Sequence, residues 1–425
     1  MPSDSSTKKL FIGLGIAALY FIITALPAPD GLTPVGKKAI AMMLAAVLVW
    51  VFEVIPIAVS SILFTLLPVV AGIIPLPKVM AHFATPTVFF VFAMFCISIA
   101  FQNSGLNRRV VLWTSLRSRG NPSRLLFFLM MVSALLSTFL ADIPVVAMML
   151  PVAVLLLEKN RCEPGASPFG KAVMLGLPIA CLIGGVGTPA GSAMNMLTIG
   201  LLQDTAKVHI SFFEWMAIGM PMVLILTPVA WWAVIKVFPP EMDRLAGMEL
   251  VEREYAELGP VTGREKLFFV ILLINFILWC TDKIHGLPLP VVAVIGGSLF
   301  VLPRIQLIDW ERDKCRIGWD ILMLIGASNA LGMIIWEQGG ASWIANACLG
   351  DISDLPLAGV IAAISIFTIV IHLLIPVNTA IVAVLLPALA ALAGTMGVNP
   401  AVLAIPMGFS VSAALLLPLD PVPLV

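Results

Sequence analysis

Apolar residues run along this chain in stretches separated by short polar breaks. Eight uninterrupted stretches have a length close to the roughly 20 residues that a helix needs to cross a bilayer. They cover residues 10–27, 38–54, 56–76, 85–101, 212–238, 266–281, 288–303 and 319–336. The pattern predicts an all-α polytopic membrane protein.

Four further apolar stretches are interrupted by residues that do not continue a helix. The breaks are 141–144 within 125–157, 184–191 within 171–203, 376–379 within 356–394, and the proline-rich 418–423 within 400–425. Irregular backbone at membrane depth is tolerated only where protein buries it or where it lines a wet cavity. We therefore expect two re-entrant helical hairpins, 125–157 and 356–394, and two broken transmembrane helices, 171–203 and 400–425, around one central site.

The chain also repeats itself, and the second copy lacks the charges of the first. The run PVVAMMLP at 144–151 returns as AIVAVLLP at 380–387, and QNSG at 102–105 returns as EQGG at 337–340, each about 235 residues later. Five arginines lie within 106–124, after the first copy of QNSG, whereas no lysine or arginine follows Arg316. Because basic residues stay on the cytoplasmic side, similar patterns with different charge predict two inverted-topology repeats, as in many secondary transporters.

This organisation predicts four segments: an N-terminal helix in 1–37, a first repeat in 38–238, a linker in 239–266 and a second repeat in 267–425. The linker carries charges of both signs, so we expect a solvated cytoplasmic connector that is helical in part. With the N-terminus inside and both hairpins returning to the side they enter, few basic residues lie outside. They are Lys37, Lys38, Lys78, Lys207 and Lys283.

Composition narrows the classes of function. The chain is 60% hydrophobic and 11% charged, against roughly 25% charged for soluble domains, so its partner is the lipid bilayer. Its 24 basic residues balance 24 acidic ones, which gives no indication of a nucleic-acid partner. The six cysteines have no metal-ligand spacing, and no catalytic Ser/His/Asp set stands out, so we expect neither a transition-metal site nor an enzyme. A purely structural scaffold would not need four helix breaks in matching positions.

Several motifs resemble the divalent anion/sodium symporter family, whose members carry di- and tricarboxylates or sulfate. The resemblance covers most of the chain. It rests on Glu-x-x-Pro-Ile-Ala-Val at 53–59, on Gly-Gly-x-x-Thr-x-x-Gly-Ser-x-x-Asn at 184–195, and on the family's hairpin-tip triplet Ser-Asn-Thr, matched at 377–379 by Asn378 and Thr379. The first tip, 141–143, matches none of the triplet. The second broken helix has DPVPL at 420–424, where the family has Ala-Thr-Pro-Pro-Asn.

The resemblance implies roles for residues at the tips and breaks, because in the family these elements contact substrate carboxylates and form sodium sites. The residues expected at the substrate are Asn378, Thr379, Val377, Asp142, Thr188 and Pro189. Those expected at the cation are Ser137, Asp142, Gly184, Gly187, Ser192, Asn195, Asn378 and Asp420. The coupling ion, Na⁺ or H⁺, is the only cofactor expected. The resemblance also implies a homodimer.

Two aspartates depart from the family pattern. A buried carboxylate beside an anion site repels the substrate unless it holds a cation or a proton. Our hypothesis is that Asp142 and Asp420 each lie at a cation position and carry part of the coupling. The alternative is that they cap the adjoining helix starts. The chain also ends about one helix short of what the repeat and the family lead us to expect.

Two other features have competing interpretations. His372, in the second hairpin, could relay protons, or it could be a core histidine. Trp215, Trp231 and Trp232 in 212–238 are interpreted as marking the membrane interfaces rather than a site.

The predicted function is that of a secondary active transporter of the inner (plasma) membrane. It would carry a small divalent anion, a dicarboxylate such as succinate or malate, together with Na⁺ or H⁺ by alternating access. Cations would bind first, because they neutralise the acids and complete the anion site. A cation/proton antiporter of the wider ion-transporter group is the alternative, and the two intramembrane aspartates favour it.

Overall fold

The structure is a computed structural model, and it describes residues 4–140, 142–349, 355–372 and 377–412. Within these residues all regular secondary structure is helical. Asp420, predicted at the cation, and the half of the predicted second broken helix from 413 to 425 lie outside the described residues.

The helices of the first half follow one another with short connections. They are α1 (Asp4–Ala25), α2 (Pro34–Val51), α3 (Ile57–Val70), α4 (Leu76–Phe83), α5 (Pro86–Ser104), α6 (Leu106–Arg117), α7 (Pro122–Ser137), α8 (Asp142–Lys159), α9 (Pro168–Gly185), α10 (Ala193–Ala206) and α11 (Phe212–Val237).

The second half continues in the same way after a segment with little apolar sequence. Its helices are α12 (Met248–Glu257), α13 (Gly263–Cys280), α14 (Asp282–His285), α15 (Leu289–Leu299), α16 (Trp310–Asp313), α17 (Trp319–Glu337), α18 (Gly340–Leu349), α19 (Leu357–Ile371), α20 (Asn378–Met396) and α21 (Ala401–Ser412), with a 3₁₀ turn at Lys314–Arg316.

The helices confirm the predicted all-α polytopic membrane fold. In the described part of the chain, seven helical segments are long and apolar enough to cross a membrane, and several shorter apolar helices accompany them. The first predicted hairpin corresponds to α7 and α8, and the first predicted broken helix to α9 and α10. The arms α7 and α19, with 16 and 15 residues, are shorter than a full span.

Local sequence explains where the helices around the first hairpin begin. Asn121 caps α7, because its side chain accepts a hydrogen bond from the backbone N–H of Arg124 at 2.9 Å. Ser167 caps α9 in the same way through Gly170, also at 2.9 Å. A proline follows each cap, and proline fits the first helical turn because its missing N–H has no partner there.

The chain forms two compact units. The first takes in the described residues of 1–89, 193–210 and 318–420. In its core α2, α17 and α20 contribute Trp50, Leu331 and Ala383, all buried. A Cβ added to Gly332 on α17 would come 2.8 Å from the Ala383 carbonyl oxygen, so the two helices pack backbone to backbone there.

The second unit takes in the described residues of 90–192 and 211–317. Here α7 packs against α9, and an aromatic cluster joins later helices. Phe212 stacks on Trp279 with ring centroids 5.5 Å apart, and Phe268 stacks on Phe300 at 5.4 Å. Aromatic pairs of this kind contribute about 0.5–1.5 kcal/mol beyond their buried area.

The predicted linker, which contains α12, is hydrogen-bonded to the first hairpin. Leu245 donates its N–H to the Gly120 carbonyl at 2.8 Å, just before α7 begins. Ala246 donates its N–H to the Asn160 side chain at 2.7 Å, just after α8 ends, and Asn160 donates back to the Ala246 carbonyl at 3.1 Å. The linker therefore holds both ends of the first hairpin. Helix α13 begins at Gly263, within the predicted linker.

Glu241 in the linker also binds the start of α9. Its carboxylate accepts hydrogen bonds from the Ser167 hydroxyl and from the Phe169 N–H, the latter at 2.9 Å. Burial raises the pKa of the Glu241 carboxyl, but the bonds from Ser167 and Phe169 lower this pKa more, so that it lies below its ordinary value. The linker is therefore held to the second unit by specific hydrogen bonds.

Candidate functional site

The first hairpin tip brings a hydroxyl to a carboxylate. Ser137 ends α7 and Asp142 begins α8, and the Ser137 hydroxyl donates a hydrogen bond to the Asp142 carboxylate. Ser137 is buried and Asp142 is half-buried. These two predicted cation-site residues therefore lie together, as the hypothesis for Asp142 requires.

The break between α9 and α10 is tied to this tip through Thr188. The Thr188 hydroxyl donates to the carbonyl oxygen of Thr138 and accepts from the N–H of Ala190, the latter at 3.1 Å. The Thr188 carbonyl accepts from the N–H of Gly191 at 3.1 Å. Thr188 was predicted at the substrate, and its hydroxyl holds the broken helix to the hairpin.

The glycines of the break allow its backbone to approach the hairpin closely. A Cβ added to Gly184 would lie 2.1 Å from the Ala134 carbonyl oxygen. One added to Gly191 would lie 2.5 Å from the Gly185 carbonyl oxygen and 2.8 Å from that of Ser137. Since such distances are impossible for a real side chain, any larger residue must push the break away from the tip.

Gly185 lies directly beside the carboxylate. A Cβ built on it would come 3.1 Å from one oxygen of Asp142. At the tip and the break, a carboxylate, a hydroxyl and several backbone carbonyls thus lie close together in a small region. Oxygen ligands of this kind suit a hard monovalent cation at an unwound helix.

Helix α11 supports the break from another side. The buried Trp215 donates its indole N–H to the Val186 carbonyl at 3.0 Å, and a Cβ on Gly219 would lie 2.5 Å from the same oxygen. The interpretation of Trp215 as an interface marker is therefore wrong. Its partner is a carbonyl exposed by the helix break, and its sequence position carries no signal of that contact. Trp232 is exposed, as an interface residue would be.

The first unit contains the second tip. Helix α20 begins at Asn378, and Val377 precedes it with an extended backbone whose carbonyl accepts from the N–H groups of Ala380 and Ile381. Within the described residues, the buried oxygens Asn378 Oδ1 and Thr379 Oγ1 have no hydrogen-bond partner. Such groups cost roughly 1–3 kcal/mol each when unpaired, so a ligand or a solvent molecule that binds them gains that amount.

Helix α10 adds polar groups to the first unit. Asn195 is fully buried in its first turn, and Thr198 lies one turn later, 3.0 Å from a Cβ built on Gly408 of α21. Helix α10 packs against both α20 and α21. The remaining predicted residues Gly187, Pro189 and Ser192 lie in the irregular segment that leads into α10, the first two buried and Ser192 half-buried.

A second polar cluster lies outside the apolar stretches, in the second unit. Asp313 accepts hydrogen bonds from Asn103 at 2.7 Å, from Arg312 at 2.9 and 3.0 Å, from Arg316 at 3.2 Å and from the Asp309 N–H at 3.1 Å. Burial raises the pKa of the Asp313 carboxyl, but these bonds lower it more, to about 2. The cluster joins the end of α5 to the turn before α17 and has a structural role.

The chain is similar to known proteins over nearly its whole length. Residues 7–423 match the family model described as the sodium:sulfate symporter transmembrane region. A sodium-dependent dicarboxylate transporter SdcS of Staphylococcus saprophyticus is 30% identical over 441 residues, which cover 97% of this chain and 84% of that protein. The SdcS of Staphylococcus aureus strain USA300 is 28% identical over 451 residues, 99% of this chain and 86% of that protein.

A membrane protein of Cupriavidus necator is similar to the same extent, with 28% identity over 450 residues, 99% of this chain and 86% of that protein. Together with the apolar helices, these matches identify a multi-pass transporter of the plasma membrane rather than an enzyme. The chain belongs to the sodium:sulfate symporter family.

Proposed function

We propose that this protein is a sodium-coupled symporter of small dicarboxylates that works by alternating access. The family and the two SdcS relatives support sodium as the coupled ion. The two SdcS relatives support dicarboxylates as the substrate class. The relatives are similar over nearly the whole of this chain, so the proposal does not depend on a single motif.

The first hairpin tip is the proposed sodium site. The grouping of oxygen ligands at this tip is the main structural support for the proposal. The Asp142 carboxylate and the Ser137 hydroxyl lie together against the glycine-lined break at Gly184 and Gly185. The family's neutral asparagine is replaced by a charged ligand, which favours a cation at this tip. Gly187 and Ser192 in the second unit, and Asn195 and Asn378 in the first, stay predicted cation residues.

The second hairpin tip is the proposed carboxylate site. Asn378 and Thr379 stand in the first turn of α20, where backbone N–H groups and the positive end of the helix dipole attract anions. Their side chains add an amide and a hydroxyl that can donate to a carboxylate. Beyond Arg316 the chain has no lysine or arginine, so backbone and neutral side chains must bind most of the anion.

We also propose that the two halves are inverted repeats. The helix pattern supports this, since α7 begins at Pro122 and α19 begins 235 residues later at Leu357. The second arms α8 and α20 each carry a proline at their tenth residue, Pro151 and Pro387. Arms too short for a full span favour re-entrant hairpins. A homodimer stays a prediction from the family resemblance.

The test is transport by the purified protein in liposomes. Inward sodium gradients should drive accumulation of radiolabelled succinate, an equal choline gradient should not, and unlabelled succinate should compete better than sulfate. Sulfate that competes better would overturn the dicarboxylate assignment. Sodium or proton flux without any succinate accumulation would instead support the cation/proton antiporter.

A further inference from the structure

One face of α11, in the second unit, is exposed and apolar along most of the helix. Four apolar side chains on this face are between 46% and 63% exposed: Ile218, Ile225, Val229 and Trp232. They are spaced by seven, four and three residues, and this spacing places side chains in a row on one side of a helix. Because α11 is long and apolar enough to cross a membrane, we expect this row, the apolar stripe, to lie against lipid.

A cation lies at the end of the apolar stripe. Lys236 follows Trp232 by four residues, and its ammonium nitrogen lies 4.7 Å from the centre of the Trp232 ring. Both side chains are exposed, and α11 ends one residue later, at Val237. A tryptophan at the end of a spanning helix marks the level of the lipid headgroups. The stripe therefore leads from the hydrocarbon of the bilayer to a positive charge at headgroup level.

The start of α7 lies beside this end of α11. Trp231 donates its indole N–H to the Ser123 carbonyl at 2.9 Å, and its ring lies edge-on to that of Phe127, with the ring centroids 5.1 Å apart. Arg124 directly follows Ser123 and is exposed. These contacts bring an arginine of α7 and the lysine of α11 to the same end of the second unit.

The end of α6 adds two more cations next to the start of α7. Arg117, the last residue of α6, lies 5.0 Å from the ring centre of Trp113, one turn earlier. Arg119 follows in the short turn between the two helices. All three side chains are exposed. The arrangement of Trp232 and Lys236, an exposed tryptophan with a cation over its ring, is thus repeated on a neighbouring element.

These cations differ from those nearer the start of α6. Arg108 binds the Glu254 carboxylate at 3.0 Å, and Arg109 binds that of Glu265 at 2.8 Å. Within the residues that the structure describes, four cations at the other end have no acidic partner at ion-pair distance: Arg117, Arg119, Arg124 and Lys236. An anion from outside the chain can therefore bind there without displacing a carboxylate.

We propose that this end of the second unit binds an anionic phospholipid. The headgroup phosphate lies between Arg124 and Lys236, because guanidinium and ammonium groups both bind phosphate through charge-assisted hydrogen bonds. One acyl chain follows the apolar stripe of α11. The charge pattern of the sequence predicts that this end is cytoplasmic, where the leaflet carries anionic lipids.

Two other occupants fit this surface less well. Inorganic phosphate has the chemistry of the headgroup, but it has no chain to cover the apolar stripe. A second copy of the protein that docked through the same surface would bring like charges together, which is unfavourable at an interface. A phospholipid matches both the cations and the stripe.

Native mass spectrometry of the full-length protein in detergent tests the proposal. Phosphatidylglycerol and phosphatidylcholine are titrated separately, and the dissociation constant of the first bound lipid is measured. Each cation near a membrane surface contributes on the order of fivefold to the binding of anionic lipid. We expect the wild type to prefer phosphatidylglycerol by about tenfold or more. The double variant Arg124→Gln, Lys236→Gln should lose most of this preference, and the two single variants serve if the double variant does not fold.

Lys266→Gln is the matched control, because it removes the same charge from an exposed side chain of the second unit, on α13. It should keep the preference. Phosphatidylglycerol should also raise the melting temperature of the wild type, whereas inorganic phosphate should not.

The inference is overturned if phosphatidylglycerol binds no more tightly than phosphatidylcholine, or if the double variant keeps the preference. Inorganic phosphate that stabilises the protein as much as the lipid would assign the cations to a soluble anion instead. A double variant with a changed number of subunits in the same spectra would assign the surface to a contact between copies. Each of these outcomes leaves dicarboxylate symport standing, because no residue of the proposed transport site is altered.

Discussion

Helices α8 and α20, the second arms of the two predicted hairpins, carry different chemistry where they begin. At the first, the Asp142 carboxylate already accepts a hydrogen bond from Ser137. At the second, Asn378 and Thr379 have buried oxygens without a partner in the described part of the chain. Both positions are helix starts, so we expect the side chains there, rather than the backbone, to decide whether a cation or an anion is favoured.

The close fit of the first tip against the break gives the largest expected effect. Gly184→Ala places a Cβ 2.1 Å from a backbone oxygen of Ala134, which must displace the break. We expect uptake to be abolished and the protein to lose about 1–3 kcal/mol of stability or more, measured by liposome transport and thermal melting.

Gly394→Ala is the matched control, because a Cβ there meets nothing within 4 Å. Its helix should be unchanged or slightly more stable, since alanine favours the helix over glycine. Normal transport by Gly184→Ala would show that the break does not need to approach the hairpin.

Exchanging the side chains of the two tips should give the next largest effect. Asp142→Asn removes the proposed charged sodium ligand, so the sodium concentration for half-maximal uptake should rise on the order of tenfold. Asn378→Asp places a negative charge at the proposed anion site and should weaken succinate binding. If uptake by Asp142→Asn has an unchanged sodium dependence, Asp142 is not part of the sodium site.

The unpartnered hydroxyl of Thr379 allows a smaller test at the second tip. Thr379→Val should weaken succinate binding by roughly threefold to tenfold, while the ligand-free protein melts at the same or a higher temperature, because a buried unpaired group is removed. Thr368→Val is the control, since its hydroxyl already donates to the Ile364 carbonyl at 2.8 Å. If both variants change affinity equally, Thr379 has no special role.

The smallest effect on transport is expected away from both tips, at Asp313. The folded protein holds the pKa of this carboxyl at about 2, below its ordinary value of about 3.9. Its contribution to stability is therefore complete above about pH 4 and is lost as the pH falls towards 2. The melting temperature of the wild type should fall more steeply over this pH range than the melting temperature of Asp313→Asn.

For Asp313→Asn, the sodium and succinate concentrations that give half-maximal uptake should stay within about twofold of the wild-type values. Changes at distant, independent sites usually have separate effects. A large change in either constant would mean that this cluster acts on the hairpins.

Much of the fold could be predicted from the sequence, because apolar length and helix-breaking residues are local signals. The break after Gly185 and the tip at Asp142 fall where glycine, proline and polar residues interrupt apolar runs. Pairings between distant segments carry no such signal. Trp215 could not be assigned to the Val186 carbonyl, nor Glu241 to the start of α9, because each contact depends on how helices pack. The roles of the tip residues stay predictions.

The first unit combines segments from the N-terminal and C-terminal parts of the chain. The Ala58 N–H bonds to the Asp320 side chain at 3.2 Å across 262 residues of sequence, and Thr33 donates to the Gln338 carbonyl at 3.0 Å across 305. At ribosomal speeds of about 5–20 residues per second, α2 and α3 wait on the order of tens of seconds for α17. During biogenesis these early helices must remain in the lipid, or with an insertion chaperone, before their lasting neighbours are synthesised.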